Sequence, residues 1–146
     1  MSQSSEVVRQ FFAAFSQGAL EPLVALFDPQ ATLIAVRQGQ PQSGGIYGTY
    51  RGHHGVRSFI DNVTSSFDTQ AFAVDEVVGQ GEVAFAKGSF VHHLKGTQRL
   101  FSSDWALMCR VVQSKIVEFR FFEDSAALLA ARQEPAEGPA GRAHLA

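Results

Sequence analysis

Apolar side chains recur along this chain with two different periods, and the change from one to the other divides it in half. In the first half the spacing is helical. Val8, Phe11, Phe12 and Phe15 fall at i, i+3, i+4 and i+7, while Glu6, Arg9 and Gln10 lie off that stripe. Ser4 or Ser5 offers an N-cap oxygen and Gly18 a stop, so a helix is predicted between them. Leu20, Leu23, Val24 and Phe27 mark a second, shorter helix, with Pro22 tolerated in its first turn and Asp28-Pro29 ending it. Ala31 to Val36 reads as a short buried strand. A third helix is predicted from about His53 to Ser66 on the stripe Val56, Phe59, Ile60 and Val63.

The second half reads as sheet. Phe72 to Val78, Glu82 to Leu94, Gln98 to Val112 and Lys115 to Phe122 are rich in Val, Phe and Ile. The links between them (Gly79-Gln80-Gly81, Lys95-Gly96-Thr97, Gln113-Ser114) are too short for parallel crossovers, so the strands are predicted to be antiparallel hairpins. Asp124 or Ser125 caps a last helix carrying Leu128 and Leu129. Between the halves, Arg37 to Gly52 holds five glycines among Ile46, Tyr47 and Tyr50, an unusually long loop of the kind that serves as a lid or is mobile. Residues 1–133 form one predicted α+β domain, and 134–146 (Pro, Gly and Ala with scattered charge) a loose tail.

Composition changes this picture in a few places. The chain of 146 residues suits one domain with a sizeable core. Its 13 phenylalanines bring large apolar area without a polar handle, which suits a core or a lined cavity. A net charge of -2 without a run of like charge gives no basis for nucleic-acid or anionic-membrane partners. The single cysteine, Cys109, forbids an intrachain disulfide and lacks a basic neighbour to activate it. The start of the chain has no secretory-signal pattern and no stretch is long enough to span a bilayer, so the cytoplasm is the expected location. No histidine spacing suggests a metal site, and no cofactor is expected.

The order helix, helix, strand, helix, then long strands is similar to that of the nuclear-transport-factor-2-like superfamily. Tyr50-Arg51-Gly52-His53-His54-Gly55-Val56-Arg57-Ser58-Phe59-Ile60 resembles the glycine-rich entry to the third helix of SnoaL-like polyketide cyclases and their ketosteroid-isomerase relatives. Asp104-Trp105-Ala106-Leu107 and the segment Ser114 to Asp124 resemble their last hairpin, although many relatives have Asp-Gly where this chain has Gln113-Ser114. The resemblance spans about Val7 to Arg132. It implies a cone-shaped α+β barrel, helices packed on a strongly curved, mainly antiparallel sheet, around a central apolar pocket. It also implies a small hydrophobic molecule as ligand and a homodimer formed through the outer face of the sheet.

Alternation along strands then selects side chains. Trp105, Leu107, Cys109 and Val111 share one face of their strand, and Val117, Phe119 and Phe121 one face of the next; these apolar sets are expected to face the pocket. The steroid isomerases need a carboxylate at the end of the first strand, where this chain reads Ala31-Thr32-Leu33-Ile34-Ala35-Val36, so that mechanism is not expected here. The cyclases pair an Asp with a His. The matching candidates are Asp104, which alternation turns outward unless a bulge near Ser102-Ser103 reverses it, and His93, placed inward by the way its strand lines up with relatives. Tyr50, His53, Trp105, Leu107, Phe119 and Phe121 are candidate ligand contacts, Tyr47 and Tyr50 candidate lid residues, and Glu123 a residue that could face the mouth. Two functions are expected from this set. One is acid–base catalysis of isomerase, cyclase or hydrolase type on a small hydrophobic or polycyclic compound; the other is binding, or dimeric scaffolding, without turnover.

Overall fold

The computed structural model describes residues 2–42 and 45–133; the predicted tail, 134–146, lies outside the described residues. The first helix, α1 (Gln3–Gln17), is capped by Ser2, whose Oγ accepts the Ser5 N–H at 3.1 Å. Ser4, expected as a cap, has another task. It is buried, and its hydroxyl donates to the Gly81 carbonyl at 2.9 Å, tying the helix start to a distant strand turn. Gly18 ends α1 in the left-handed conformation (φ 67°). The stripe that predicted this helix is the face it buries, with Val8, Phe11 and Phe12 in the core. Each such side chain is worth roughly 1.5–3 kcal/mol when moved from water to the interior.

The short α2 (Leu20–Ala25) runs almost directly into strand β1 (Phe27–Ala35). Asp28-Pro29 therefore lies inside a strand that starts earlier than expected. Its pairing with the neighbouring strand lapses between Phe27 and Thr32, which accommodates a proline with no N–H to give. The glycine-rich stretch contains one further strand, β2 (Gly48–Arg51), before α3 (Gly52–Ser66). Then come β3 (Phe67–Gln80), β4 (Val83–Leu94), β5 (Leu100–Val112), β6 (Lys115–Glu123) and α4 (Ser125–Arg132). Asp124 caps α4, its Oδ1 accepting the Ala127 N–H at 3.0 Å.

The strand order is β2-β1-β6-β5-β4-β3. Every neighbouring pair is antiparallel except β1 with β6. The sheet curls around the helices but does not close, since β2 and β3 remain as edges, so the expected barrel is an open one. Gln113 and Ser114, between β5 and β6, both have positive φ (51° and 66°), the requirement of a tight hairpin turn of type I′ that Asn-Gly usually meets.

Register fixes what faces inward. The β4–β5 ladder runs without a break from Val83 opposite Arg110 to His93 opposite Leu100. In β3 the pairing shifts twice, between Thr69 and Ala71 and between Val74 and Glu76. Each extra residue re-aims the side chains that follow it, so a strand without simple alternation still turns Phe67, Phe72 and Val77 toward the core.

Candidate functional site

A cavity lies between α1, α3 and the concave face of the sheet. Phe11, Phe12 and Phe15 come from α1, Phe59 and Val63 from α3, and Phe67, Phe72, Phe90, Phe119 and Phe121 from the strands. The helical stripe and the strand alternation thus converge on one apolar space. Its free volume is about 50 Å³, room for a few waters. A larger ligand would enter by displacing a wall. The arc after β1 forms one wall, contributing Val36, Ile46 and Tyr47. Val36 has φ 67°, uncommon for a β-branched residue, and so turns the chain sharply at the cavity's edge.

Three polar side chains line this space: Tyr47, His92 and Glu123. Glu123 is the last residue of β6 and follows Phe119 and Phe121 at a spacing of two, so alternation carries it inward. The Tyr47 hydroxyl donates to Glu123 Oε2 at 2.7 Å. Burial pushes the Glu123 carboxyl up to about 7; the Tyr47 hydrogen bond and the charge of Arg132 oppose this without cancelling it. Burial, then the nearby Glu123 charge, raises Tyr47 as well, so it stays a neutral donor. His92 is held low, at about 4, by burial, and is therefore an uncharged imidazole near neutral pH. Its Nδ1 lies 3.1 Å from Thr69 Oγ1.

The two residues expected to carry protons lie elsewhere. Because the β4–β5 ladder has no bulge at Ser102-Ser103, Asp104 pairs with Ser89 on the outer face and is exposed. The same unbroken alternation turns His92 inward and His93 outward. His93 is 30% exposed, its Nε2 2.6 Å from the Thr97 carbonyl and its Nδ1 3.6 Å from Asp68. It braces the β4–β5 turn. Its alternation partners, Phe85, Lys87, Ser89 and Val91, lie on the same outer side, which overrides the alignment that favoured it.

Of the expected ligand contacts, Phe119 and Phe121 line the cavity. Trp105 and Leu107 are buried behind it. The Trp105 indole stacks on Phe72 at 5.4 Å and on Phe121 at 5.6 Å, and its buried Nε1 has no partner among the described residues. Tyr50 anchors the arc, donating to the Ile46 carbonyl at 2.6 Å and accepting from Asn62 Nδ2 at 3.1 Å. His53 Nε2 lies 2.7 Å from the Phe27 carbonyl and joins α3 to β1. Of the two lid candidates, Tyr47 reaches the cavity and Tyr50 secures the segment that carries it.

An open, curled sheet wrapped on N-terminal helices around an apolar space defines a nuclear-transport-factor-2-like protein. Residues 8–119 match the SnoaL-like domain model, and the chain belongs to that family. No curated protein sequence matches it. Among solved structures, a protein of this fold from Burkholderia xenovorans LB400 is 27% identical with a TM-score of 0.77, over 90% of this chain and 96% of that one. IdmH from Streptomyces antibioticus, a candidate polyketide cyclase, is 25% identical with a TM-score of 0.72, over 89% and 98%. A protein of this fold from Burkholderia thailandensis E264 is 23% identical with a TM-score of 0.79, over 92% and 100%. No helix among the described residues is long and apolar enough to cross a membrane.

Proposed function

We propose that the protein catalyses a proton transfer on a small, largely hydrophobic carbonyl compound, with Glu123 as general acid–base and Tyr47 as the donor to the carbonyl oxygen. The observation that carries this reading is the Tyr47–Glu123 pair, 2.7 Å apart, on the wall of an apolar cavity. A carboxyl held at about 7 is a better base than an ordinary carboxylate and is still half ionised at neutral pH, the compromise that proton transfer favours. The carboxylate would take a proton from the carbon next to the carbonyl, the electron pair moving onto the oxygen. Tyr47, released from Glu123, would donate to that oxygen, and the carboxylic acid would return its proton to the substrate. Isomerisations and cyclisations both use this step, and IdmH is a candidate cyclase.

1-Indanone, an enolisable aryl ketone, provides the test. In D2O the protein is expected to accelerate exchange of the hydrogens next to the carbonyl, followed by ¹H NMR. Glu123→Gln is expected to slow the catalysed exchange by about 100-fold or more. A Gln variant as fast as the parent would remove Glu123 from the mechanism. No acceleration by the parent would favour the second reading, a cavity that binds without turnover.

We also propose that the protein works as a homodimer through the outer face of the sheet. Val78, Phe85 and Met108 are register neighbours across β3, β4 and β5, and Phe85 and Val78 are 54% and 58% exposed. An apolar row of this kind on a solvent-facing sheet suits burial against a partner.

A further inference from the structure

The proton transfer proposed above uses one end of the cavity and leaves His92 without a task. This residue is 5% exposed, and aromatic rings surround it: Phe67 lies parallel at 4.7 Å, Phe90 at 4.1 Å, and Phe101 at 6.1 Å. Thr69, directly opposite on β3, engages Nδ1 at 3.1 Å, just before the first register shift of that strand. The other ring nitrogen, Nε2, has no hydrogen-bond partner among the described residues, although the side chain lines the cavity. The apolar wall around it offers that nitrogen no partner, which a polar group on a ligand could supply.

We propose that His92 Nε2 is a docking point for a hydroxyl group on an uncharged, otherwise apolar ligand, whose body lies against the phenylalanines between His92 and Glu123. This rests on the reading of the cavity as a ligand site. The chemistry selects a hydroxyl. Burial among aromatic rings keeps the imidazole neutral, so it offers no charge to hold a carboxylate or phosphate. A neutral imidazole presents at Nε2 either one N–H or one lone pair, depending on which way the Thr69 hydrogen bond runs. A carbonyl satisfies only the first form; a hydroxyl satisfies both.

Position separates this point from the acid–base pair. His92 pairs with Phe101 and Glu123 with Trp105, on opposite sides of β5. Four residues along the strand and two strand spacings across it put the two backbone positions roughly 17 Å apart on a flat sheet, less on a concave one. A ligand touching both ends would therefore carry its hydroxyl across an apolar span from its reacting carbonyl.

Naphthalene and 2-naphthol, which differ by one hydroxyl, make the probe pair. Their dissociation constants are compared by titration calorimetry for the parent, His92→Phe and Thr69→Val, with the His92 ring nitrogens followed by ¹⁵N NMR. In the parent, 2-naphthol is expected to bind about 3- to 10-fold more tightly than naphthalene and to shift the Nε2 resonance. His92→Phe should abolish the difference. Thr69→Val, a change at an exposed strand position, should reduce it by removing the Nδ1 hydrogen bond that orients the ring. Equal affinities in the parent, or a difference that survives in His92→Phe, would overturn the proposal. If 2-naphthol perturbs the Glu123 carboxyl resonance and leaves His92 unmoved, the His92 docking point falls while the cavity reading stands. If neither probe binds, both fall.

Discussion

Gly88 faces Trp105 across the β4–β5 ladder, and a hydrogen atom is all that fits between them. A Cβ there would stand 2.6 Å from Trp105 Cζ2 and 1.9 Å from the Ala73 carbonyl oxygen. The indole can lie flat behind the cavity, against Phe72 and Phe121, because this position is bare. Gly88→Ala is expected to destabilise the fold by about 2–3 kcal/mol, read as a lower urea midpoint at unchanged slope. A loss under about 0.5 kcal/mol would mean that the ladder yields easily at this point. At the same scale, sequence legibility was uneven. Phe119 and Phe121 were readable as cavity residues because alternation holds from Glu118 onward; the register shift opposite Val117 puts Ile116, not Val117, in the core. Glu123 follows from the same alternation, one step further. Asp104 and His93 were drawn from family pairing, and the unbroken register of their own strands turns both outward. Thr69 carries no signal in the sequence at all, because its direction depends on a register shift beside it.

The helices were legible to within two or three residues from their stripes, although the stop read for α2, Asp28-Pro29, lies inside β1. Strands were legible where turn residues bracket them, as in β4, β5 and β6. β3 begins at Phe67, five residues before its predicted start, because Asp68-Thr69-Gln70 shows no apolar alternation and the pairing shifts there. β2 was hidden in a glycine-rich stretch that reads as loop; Gly48, at φ 153° and packed against Pro41, is part of its bend. The outer faces of β3, β4 and β5 raise a different question, namely what covers Phe85. Phe85→Lys places a charge in the middle of the apolar row and is expected to convert a dimer to a monomer in sedimentation velocity at tens of micromolar, about the range where weak interfaces populate. A parent protein that sediments as a monomer under the same conditions would contradict the dimer.

For the molecule as a whole, two buried titrating groups pull stability in opposite directions with pH. Glu123, raised from 4.5 to about 7 by burial, contributes stability that is complete below pH 4.5 and is lost as pH rises through 7. His92, lowered from 6.5 to about 4 by burial, contributes stability that is complete above pH 6.5 and is lost as pH falls through 4. Across the overlap the two slopes oppose each other, so the fold tolerates an unionised acid and an unionised base in one apolar space. Tyr47, Arg132 and Asp124 are the ionisable neighbours at the Glu123 end; Tyr47 and Arg132 act to keep Glu123 ionised. The proposed chemistry depends on burial prevailing over them. The most direct measurement is a ¹³C NMR titration of the Glu123 side-chain carboxyl, assigned by its loss in Glu123→Gln. A midpoint near pH 7 is expected, and one at or below the ordinary 4.5 would contradict the role given to Glu123.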